Sequence, residues 1–432
     1  MRQLLADKVS GNLVGLWLLV PEHLRLGTWD LLCGWTGQPG ERVEPRLALQ
    51  LVHEAALCTP GSRQRRTLSQ KGFELAHGLP FLASDQAIHQ LLGAHTVADA
   101  KRLQVTLGQL RRACGHYHAK LLAIDPHRVR SYSKRQMRRH RTSAADQPTK
   151  VAQTFFALDA DTSQPVCFLT ASAARSVTQA TPELLEMAAT ILNPRPGQTL
   201  VVADAEHFST ELLAQVHRQT RFDLLVPMPN HPALKQQLHS IAPEQFTRRW
   251  AGYATARFPY QPTHSQAGPF CQFVQRYGER PRDWTFNAFL CTAERDELDP
   301  LTRDYPQRWH VEEFFNTHQA LGWKRAGTLN LNIRYGQMTL ALIAQTVLHQ
   351  LRHRLGEPLK TWDSTHLAKG LLQALDGDIR VTDDTILVTY YNAPNAERLR
   401  EHYEDLPSKL QSENINPHIP WLYNYKLDFR FR

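Results

Sequence analysis

Two aspartates end short apolar runs in the middle of the chain. Asp125 follows the run at residues 121–124, and Asp204 follows the run at 199–203. Such runs predict buried strands, and a side chain at the end of a strand leaves the core and faces a crevice. Two carboxylates that converge there repel each other unless a cation lies between them. Oxygen ligands suit magnesium or manganese, so the pair predicts a divalent-metal site, although either aspartate alone could instead cap the following turn.

A third carboxylate lies on a predicted helix. Tyr305, Arg308 and Glu312 are separated by three and four residues. At about 100° per residue, their side chains share one face of a helix. Asp304 can cap this helix, and Phe314 points away from the shared face and is expected in the core. The plainer alternative is a solvated Arg–Glu pair on an amphipathic helix, which contributes little to stability.

A basic run follows the first aspartate. Between residues 128 and 141 there are seven Lys or Arg and no acid. This density beside a strand predicts contact with the phosphates of DNA, whereas a solvated loop with incidental charge is the alternative. The seven residues are Arg128, Arg130, Lys134, Arg135, Arg138, Arg139 and Arg141. A second basic cluster at positions 63–71 could also contact DNA.

The helix motif resembles a known signature. Tyr305-Pro-Gln-Arg308-Trp-His-Val-Glu312 is similar to the Y, R, E, K helix of DDE transposases of bacterial insertion sequences. The two strand-end aspartates and the β-rich stretch before the helix fit the same family, and the resemblance covers about residues 119–355. It implies an RNase H-like core in which Asp125, Asp204 and Glu312 are catalytic and hold two divalent ions, Mg or Mn.

The resemblance also implies DNA contacts around that helix. Tyr305 and Arg308 would position the phosphates of the strand to be cut. The family's lysine, seven residues after the glutamate, is Gln319 here, which can hydrogen-bond a phosphate without neutralising it. Either Lys324 or Arg325 substitutes for that lysine, or the strand is bound more weakly.

The implied activity is metal-dependent strand cleavage at the element's ends and strand transfer to target DNA, by in-line phosphoryl transfer. The implied partners are double-stranded DNA, as terminal inverted repeats and as target, and a second copy of the chain in a homodimer on DNA. Trp250 or Trp284 of the β-rich stretch could stack on a base, or could simply be core residues. Three alternatives remain. The first is a DNA-binding protein on the same fold with lapsed catalysis, which Gln319 favours. The others are a metal-dependent nuclease without strand transfer and an unrelated basic enzyme.

The order of predicted elements indicates an α/β fold. Residues 121–227 predict the order β-β-β-α-β-α-β, with hairpin links first and helical links later, which favours a mixed sheet flanked by helices. Pro182 predicts that one of these helices begins beside it, because Pro is tolerated in a first turn. The expected segments are a helical N-terminal domain that is a candidate for binding DNA ends (1–118), the first part of the RNase H-like core (119–228), a β-rich insertion (229–300), the core helix with the following helices (301–365) and a C-terminal region with candidate dimer contacts (366–432).

Composition agrees with a soluble, DNA-binding protein. The 432 residues are 42% hydrophobic, and 50 Lys and Arg against 41 Asp and Glu give a formal net charge of +9. Six scattered cysteines without a C-x-x-C pair argue against a zinc ribbon and a disulfide framework. The longest apolar stretch, near residues 338–351, contains polar residues and predicts a buried helix. We therefore expect no membrane segment and a cytoplasmic bacterial protein that is nucleoid-associated when bound to DNA.

Overall fold

The chain divides into two compact units. The computed structural model describes residues 8–11, 13–59, 66–131, 136, 139–141, 147–172, 174–262, 267–323 and 330–432. One unit, here called the sheet unit, is Arg111–Phe314. The other, the helical unit, combines Met1–Leu110 with Phe315–Arg432. The five-segment division expected from the sequence remains a prediction.

The strands of the described residues lie mostly in the middle of the chain. They are β1 (Val9–Gly11), β2 (Leu121–Arg130), β3 (Arg139–His140), β4 (Thr149–Asp159), β5 (Gln164–Ser172), β6 (Thr199–Val202), β7 (Phe222–Pro227), β8 (Thr247–Trp250), β9 (Tyr253–Tyr260), β10 (Phe270–Tyr277), β11 (Thr285–Cys291), β12 (Gly377–Thr382), β13 (Thr385–Tyr390) and β14 (Lys426–Phe431).

The α-helices of the described residues are concentrated at the two ends of the chain. They are α1 (Val20–Leu26), α2 (Thr28–Thr36), α3 (Val43–Ala56), α4 (Lys71–Ala76), α5 (Asp85–Ala94), α6 (Val97–Ala113), α7 (Val177–Leu192), α8 (Thr210–Gln219), α9 (Pro232–His239), α10 (His310–His318), α11 (Leu331–Leu355), α12 (Ser364–Leu367), α13 (Ala396–Tyr403) and α14 (Leu406–Ser412).

A mixed sheet forms the framework of the sheet unit. Its strand order is β3-β4-β2-β6-β7-β11-β10-β9-β8, with β5 also paired to β4. The pairs β2–β6 and β6–β7 are parallel, whereas β2–β4 and β4–β5 are antiparallel. The inner order β5-β4-β2-β6-β7 is the RNase H-like arrangement, so the predicted fold class is confirmed. The β-rich stretch forms four antiparallel strands that extend this sheet from β7.

Burial explains why the inner strands form. Residues 151–159 of β4 and all four residues of β6 are buried. Apolar side chains on both faces are expected for strands covered by helices on both sides of a sheet. Among the helices of this unit, α7 packs on β4 and β5, and α8 packs on β7. Asp125, within β2, and Asp204, just after β6, therefore lie beside the buried centre of this sheet.

The start of α7 differs from the prediction. The helix begins at Val177, and Pro182 lies inside it. Ser176 accepts a hydrogen bond from the Gln179 backbone, and the Gln179 side chain accepts one from the Ser176 backbone. This capping box satisfies two backbone N–H groups at the true start, so it outweighs the single hydrogen bond that Pro182 removes.

The helical unit contains a sheet that the sequence did not predict. Strands β1, β12, β13 and β14 form four neighbouring strands in that order. The pattern at 385–391 predicts β13, but β1 is only three residues long and β14 lies at the other end of the chain. The predicted buried helix is α11, whose residues 338–348 are all buried. Within the described residues, no helix is long and apolar enough to cross a membrane.

Candidate active site

Asp125 lies in β2, and Asp204 follows the end of the neighbouring parallel strand β6. The last paired residues of β2 and β6 are Ala123 and Val202, so the same register carried two residues further sets Asp125 beside Asp204. Adjacent strands are about 4.8 Å apart, which brings the two carboxylates into direct electrostatic range. One expectation is corrected here, because β2 does not end at Asp125 but continues to Arg130 as the antiparallel partner of β4.

The carboxyl of Asp125 is held in an environment that opposes its charge. Only 15% of this side chain is exposed. Burial raises the pKa of Asp125 to about 7, and the negative charges of Asp204 and Glu312 act in the same direction. Arg308 acts in the opposite direction. The positive charge of Arg308 is therefore not enough to bring the pKa of Asp125 back to its ordinary value.

Asp204 has a different environment from its neighbour. Its Oδ1 accepts hydrogen bonds from the Glu206 backbone N–H at 3.0 Å and from His207 Nδ1 at 2.8 Å. Burial opposes ionisation of Asp204, but these bonds keep its pKa below the ordinary value. Asp204 thus also caps the short 3-10 helix Ala205–His207, so the capping alternative describes part of its role.

His207 supports Asp204 from a buried position. Its side chain is 2% exposed, and its ring nitrogen reaches the Asp204 carboxylate. The sequence places a histidine three residues after Asp204 but does not distinguish an exposed ring from a buried one. A residue that donates to a carboxylate and is itself immobilised by burial fixes the direction of that carboxylate.

The Arg308 side chain lies between Glu312 and Asp125. Arg308 Nη1 lies 3.5 Å from Glu312 Oε1 and 3.6 Å from Asp125 Oδ1. The shared helix face is therefore present, although Arg308 lies in the 3-10 helix Tyr305–Trp309 and Glu312 in α10. Asp304 does not cap this segment, because its backbone is already helical and its side chain pairs with Arg303.

Two contacts fix the helix that carries Glu312. His310 Nδ1 donates to the carbonyl oxygen of Ala160, in the turn between β4 and β5, at 2.8 Å. Phe314 is buried, as expected, and its ring packs edge-on against Phe156 of β4. The start of α10 is thereby held against the strand that pairs with β2.

Tyr305 joins the same cluster. Its ring packs edge-on against Phe289 with centroids 4.7 Å apart, and its hydroxyl accepts a hydrogen bond from Arg308. Burial raises the pKa of Tyr305, whereas Arg308 lowers it. Seven residues after Glu312, Gln319 is expected on the same face of the same helix. Instead α10 ends at His318, and Gln319 begins a short 3-10 helix. The Gln319 side chain is 3.4 Å from the carbonyl oxygen of Asn316.

The basic run is only partly covered by the described residues. Both terminal nitrogens of Arg128 pair with the Glu206 carboxylate, so this charge is already neutralised. Arg130, Arg139 and Arg141 are exposed. The other predicted contacts, Lys134, Arg135 and Arg138, lie outside the described residues, as do Lys324 and Arg325.

The two candidate tryptophans of the β-rich stretch have different surroundings. Trp250 is 52% exposed and stacks on Tyr253 at 4.3 Å. It lines a cavity of about 400 Å³ together with Arg248, Arg276 and Arg280. Trp284 is partly buried beneath the guanidinium of Arg276, at 4.1 Å. Trp250 is the more accessible of the two rings.

The donor set fits a hard divalent cation. Among the described residues, no three His, Cys, Asp or Glu side chains are close enough to hold one ion as they stand. Asp125 is nevertheless a buried carboxyl with two carboxylate neighbours and a pKa of about 7, which identifies a local shortage of positive charge. Carboxylate oxygens are the ligands that Mg²⁺ and Mn²⁺ prefer, so Asp125, Asp204 and Glu312 are the residues that would hold such ions.

The fold and this cluster define an RNase H-like protein with an acidic site at the centre of its sheet. The family of the transposase DDE domain matches residues 116–347. Because this match covers more than half of the chain and includes all three carboxylates, the chain belongs to the DDE transposase family, whose members generally use divalent metal ions.

Comparison with solved structures finds a likeness to a transposase. The chain is similar to piggyBac transposase in its synaptic complex with hairpin DNA, at 12% identity and a TM-score of 0.41. The likeness covers 82% of this chain and 79% of that chain. No curated protein sequence matches the chain.

Proposed function

We propose that this protein is an active DNA transposase of a bacterial insertion sequence. It cleaves DNA strands at the element's ends and transfers the freed 3′-hydroxyl to target DNA. The observation that carries the proposal is the placement of Asp125 beside Asp204, with Arg308 joining Asp125 to Glu312. Family membership supports a DNA-cleaving enzyme, and the cluster supplies the acids that such cleavage needs.

Asp125, Asp204 and Glu312 are the proposed catalytic residues and the ligands of two divalent ions, Mg or Mn. When bound, such ions lower the pKa of an attacking water or 3′-hydroxyl and stabilise the leaving oxygen. The side chains of the protein direct this chemistry. Asp125 and Asp204 are fixed by neighbouring strands, whereas Glu312 is 40% exposed and can adjust its position.

Tyr305 and Arg308 are the proposed contacts for the scissile phosphate. Arg308 presents a two-pronged donor, which matches the oxygens of a phosphate better than a point charge does. The Tyr305 hydroxyl accepts a hydrogen bond from Arg308 and its ring packs on Phe289, so the two side chains lie together beside the acidic cluster. Their role is to hold the strand in line with the attacking group.

The DNA surface proposed here extends beyond the acidic site. Exposed Arg130, Arg139 and Arg141 would contact the duplex backbone, together with Lys134, Arg135 and Arg138. Arg128 acts more weakly because Glu206 already pairs with it. Gln319 would contribute a neutral hydrogen bond, and exposed Trp250 would stack on an unpaired base.

The proposed assembly is a homodimer on DNA that pairs the two terminal inverted repeats before the target DNA binds. Two element ends must be cut and joined together, so two active sites are needed at one place. The proposed location is the bacterial cytoplasm, on the nucleoid when the protein is bound to DNA.

One assay separates the proposed activity from its alternatives. Supercoiled plasmid and duplex oligonucleotides that carry the element's ends are incubated with the protein and Mg²⁺. A transposase gives joined product, a nuclease gives only nicks, and a catalytically lapsed protein gives a binding shift alone. Asp125→Ala, Asp204→Ala and Glu312→Gln should each abolish cleavage and leave end binding within about twofold, because acids at the metal do not recognise DNA.

Glu313→Gln is the matched control for Glu312→Gln. Glu313 is the next residue on α10 and is exposed, so its loss changes the charge equally without altering the acidic cluster. Cleavage at the wild-type rate in any of the three acid variants would remove that residue from the site. The lapsed DNA-binding protein stays the second candidate, because Gln319 replaces the lysine that the Y, R, E, K pattern expects.

A further inference from the structure

Arg308 has two competing sets of partners in the proposed reaction. It lies 3.6 Å from Asp125 and 3.5 Å from Glu312, and its side chain is 18% exposed. The same guanidinium is the proposed contact for the scissile phosphate. Both carboxylates share Nη1, so a phosphate that takes a two-pronged contact with the guanidinium competes with them for it.

Two cations can neutralise these carboxylates: the Arg308 guanidinium and a divalent metal ion. Arg308 Nη1 lies within 3.6 Å of carboxylate oxygens of both Asp125 and Glu312, so its charge reduces the repulsion between them. A divalent ion would bind the same oxygens and repel the guanidinium. Arg308 therefore stabilises the cluster without metal, and it competes with the metal for the same ligands.

We propose that Arg308 is a resident counter-ion of the metal-free site and that DNA binding draws it away. The inference rests on the proposed function. A DNA phosphate takes over the guanidinium, Asp125 and Glu312 lose their internal partner, and their affinity for divalent ions rises. By linkage, metal binding releases Arg308 and strengthens its hold on the phosphate by the same factor. The site is thus assembled fully only when DNA is present.

Direct metal binding tests this inference without measuring activity. Mn²⁺ is titrated into the full chain, and free Mn²⁺ is followed by electron paramagnetic resonance. Without DNA, Arg308→Gln should bind Mn²⁺ about five- to tenfold more tightly than the wild type, because the competing cation is gone. A short duplex of random sequence should tighten Mn²⁺ binding about five- to twentyfold in the wild type and clearly less in the variant. Some coupling remains there because phosphates also ligate the metal.

Arg303→Gln is the matched control. Arg303 lies five residues before Arg308, is 64% exposed and pairs with Asp299 and Asp304, outside the acidic cluster. It should leave the Mn²⁺ affinity within about twofold. Arg308→Lys keeps the charge and should bind Mn²⁺ nearly as the wild type does, which separates loss of charge from misfolding; circular dichroism checks the fold of each variant.

The outcomes distinguish this inference from the proposed function. Unchanged or weaker Mn²⁺ binding in folded Arg308→Gln, with wild-type binding intact and lost in Asp125→Ala, overturns the counter-ion role and leaves the metal site standing. Failure of the wild-type protein to bind Mn²⁺ both with and without DNA overturns the proposed metal-dependent function itself.

Discussion

At the scale of single residues, two neighbouring aspartates have opposite properties. Asp125 is buried and its pKa is raised to about 7, whereas hydrogen bonds from His207 and the Glu206 backbone hold the pKa of Asp204 below its ordinary value. Asp204 is therefore the more readily ionised of the two, and added positive charge favours ionisation of Asp125. Such divergent environments of paired carboxylates are typical of catalytic sites.

The raised pKa of Asp125 predicts a pH-dependent cost in stability. Below about pH 3 the carboxyl is largely protonated in the folded and unfolded chain alike, so it contributes almost nothing. As the pH rises towards 7, the unfolded chain ionises first and folding is penalised, by up to about 4 kcal/mol above pH 7. Without divalent ions, Asp125→Asn should therefore raise the unfolding temperature at pH 8 and change it much less at pH 4.

Thermal unfolding with EDTA at both pH values measures this effect. The control Asp283→Asn changes an aspartate with a 55% exposed side chain and should give no gain at either pH. Adding Mn²⁺ at pH 8 should reverse the ranking, because only the wild type retains all three carboxylates. An equal change in unfolding temperature at pH 4 and pH 8 would contradict the assigned burial cost.

His207 is predicted to position Asp204 for metal binding. His207→Leu keeps a buried apolar group but removes the donor to Asp204 Oδ1, so Mn²⁺ affinity should fall about ten- to a hundredfold. His207→Asn places an amide nitrogen near the position of Nδ1 and should restore most of the affinity. Mn²⁺ titration of both variants is the measurement. Equal affinity in the leucine variant and the wild type would assign His207 to packing alone.

At the scale of elements, local patterns predicted the inner strands but not all their boundaries. The apolar run at residues 121–124 predicts a strand and the acid after it predicts an end, yet β2 continues to Arg130 because β4 pairs with it along its whole length. Pro182 predicts a helix start beside it, but α7 begins at Val177, where the less conspicuous Ser176–Gln179 capping box lies. In both cases the boundary is set by residues outside the local pattern, by β4 for the end of β2 and by the Ser176–Gln179 pair for the start of α7.

The contact between α10 and the β4–β5 turn gives a prediction for an element as a whole. His310→Ala removes the hydrogen bond to the Ala160 carbonyl, so the start of α10, with Glu312 on it and Arg308 just before it, becomes less fixed. Single-turnover cleavage should slow about tenfold or more while DNA binding is retained, because small misplacements of catalytic groups are costly.

His217→Ala is the matched control for this variant. His217 donates to the carbonyl of Thr292 at 3.0 Å, a hydrogen bond of the same type within the same unit but away from the acidic cluster. It should cut at close to the wild-type rate. Equal slowing in both variants would indicate a general loss of stability and not a role for α10.

At the scale of the whole molecule, the sequence predicted one unit much better than the other. The inner strands of the sheet unit follow from apolar runs that are visible locally, even where the partners are distant, as with Leu121 of β2 and Leu200 of β6. In the helical unit, β14 pairs with β13 in parallel and β1 pairs with β12 more than 350 residues away. Three-residue β1 carries no periodic signal, so only the folded chain defines this sheet. The acidic cluster could be predicted from the resemblance, but the position of Arg308 between two carboxylates could not.

The net charge of +9 predicts DNA binding that weakens with salt. If the basic run contacts the duplex, replacing Arg135, Arg138 and Arg139 by Gln should lower the slope of log affinity against log salt by about 2 to 3. Arg128→Gln should change the slope by less than the loss of one contact, because Glu206 already pairs with Arg128. Fluorescence anisotropy at several salt concentrations is the measurement, and an unchanged slope in the triple variant would remove the run from the interface.

The central claim is that Asp125, Asp204 and Glu312 together hold divalent ions. The most direct test is a crystal structure of the protein with Mn²⁺ and duplex DNA, with the ions located by anomalous scattering. The account predicts two peaks about 3.5–4 Å apart, ligated by all three carboxylates, with Arg308 turned towards a phosphate. Peaks that lie elsewhere, or an ion that leaves Glu312 unligated with Arg308 still between the acids, would contradict it.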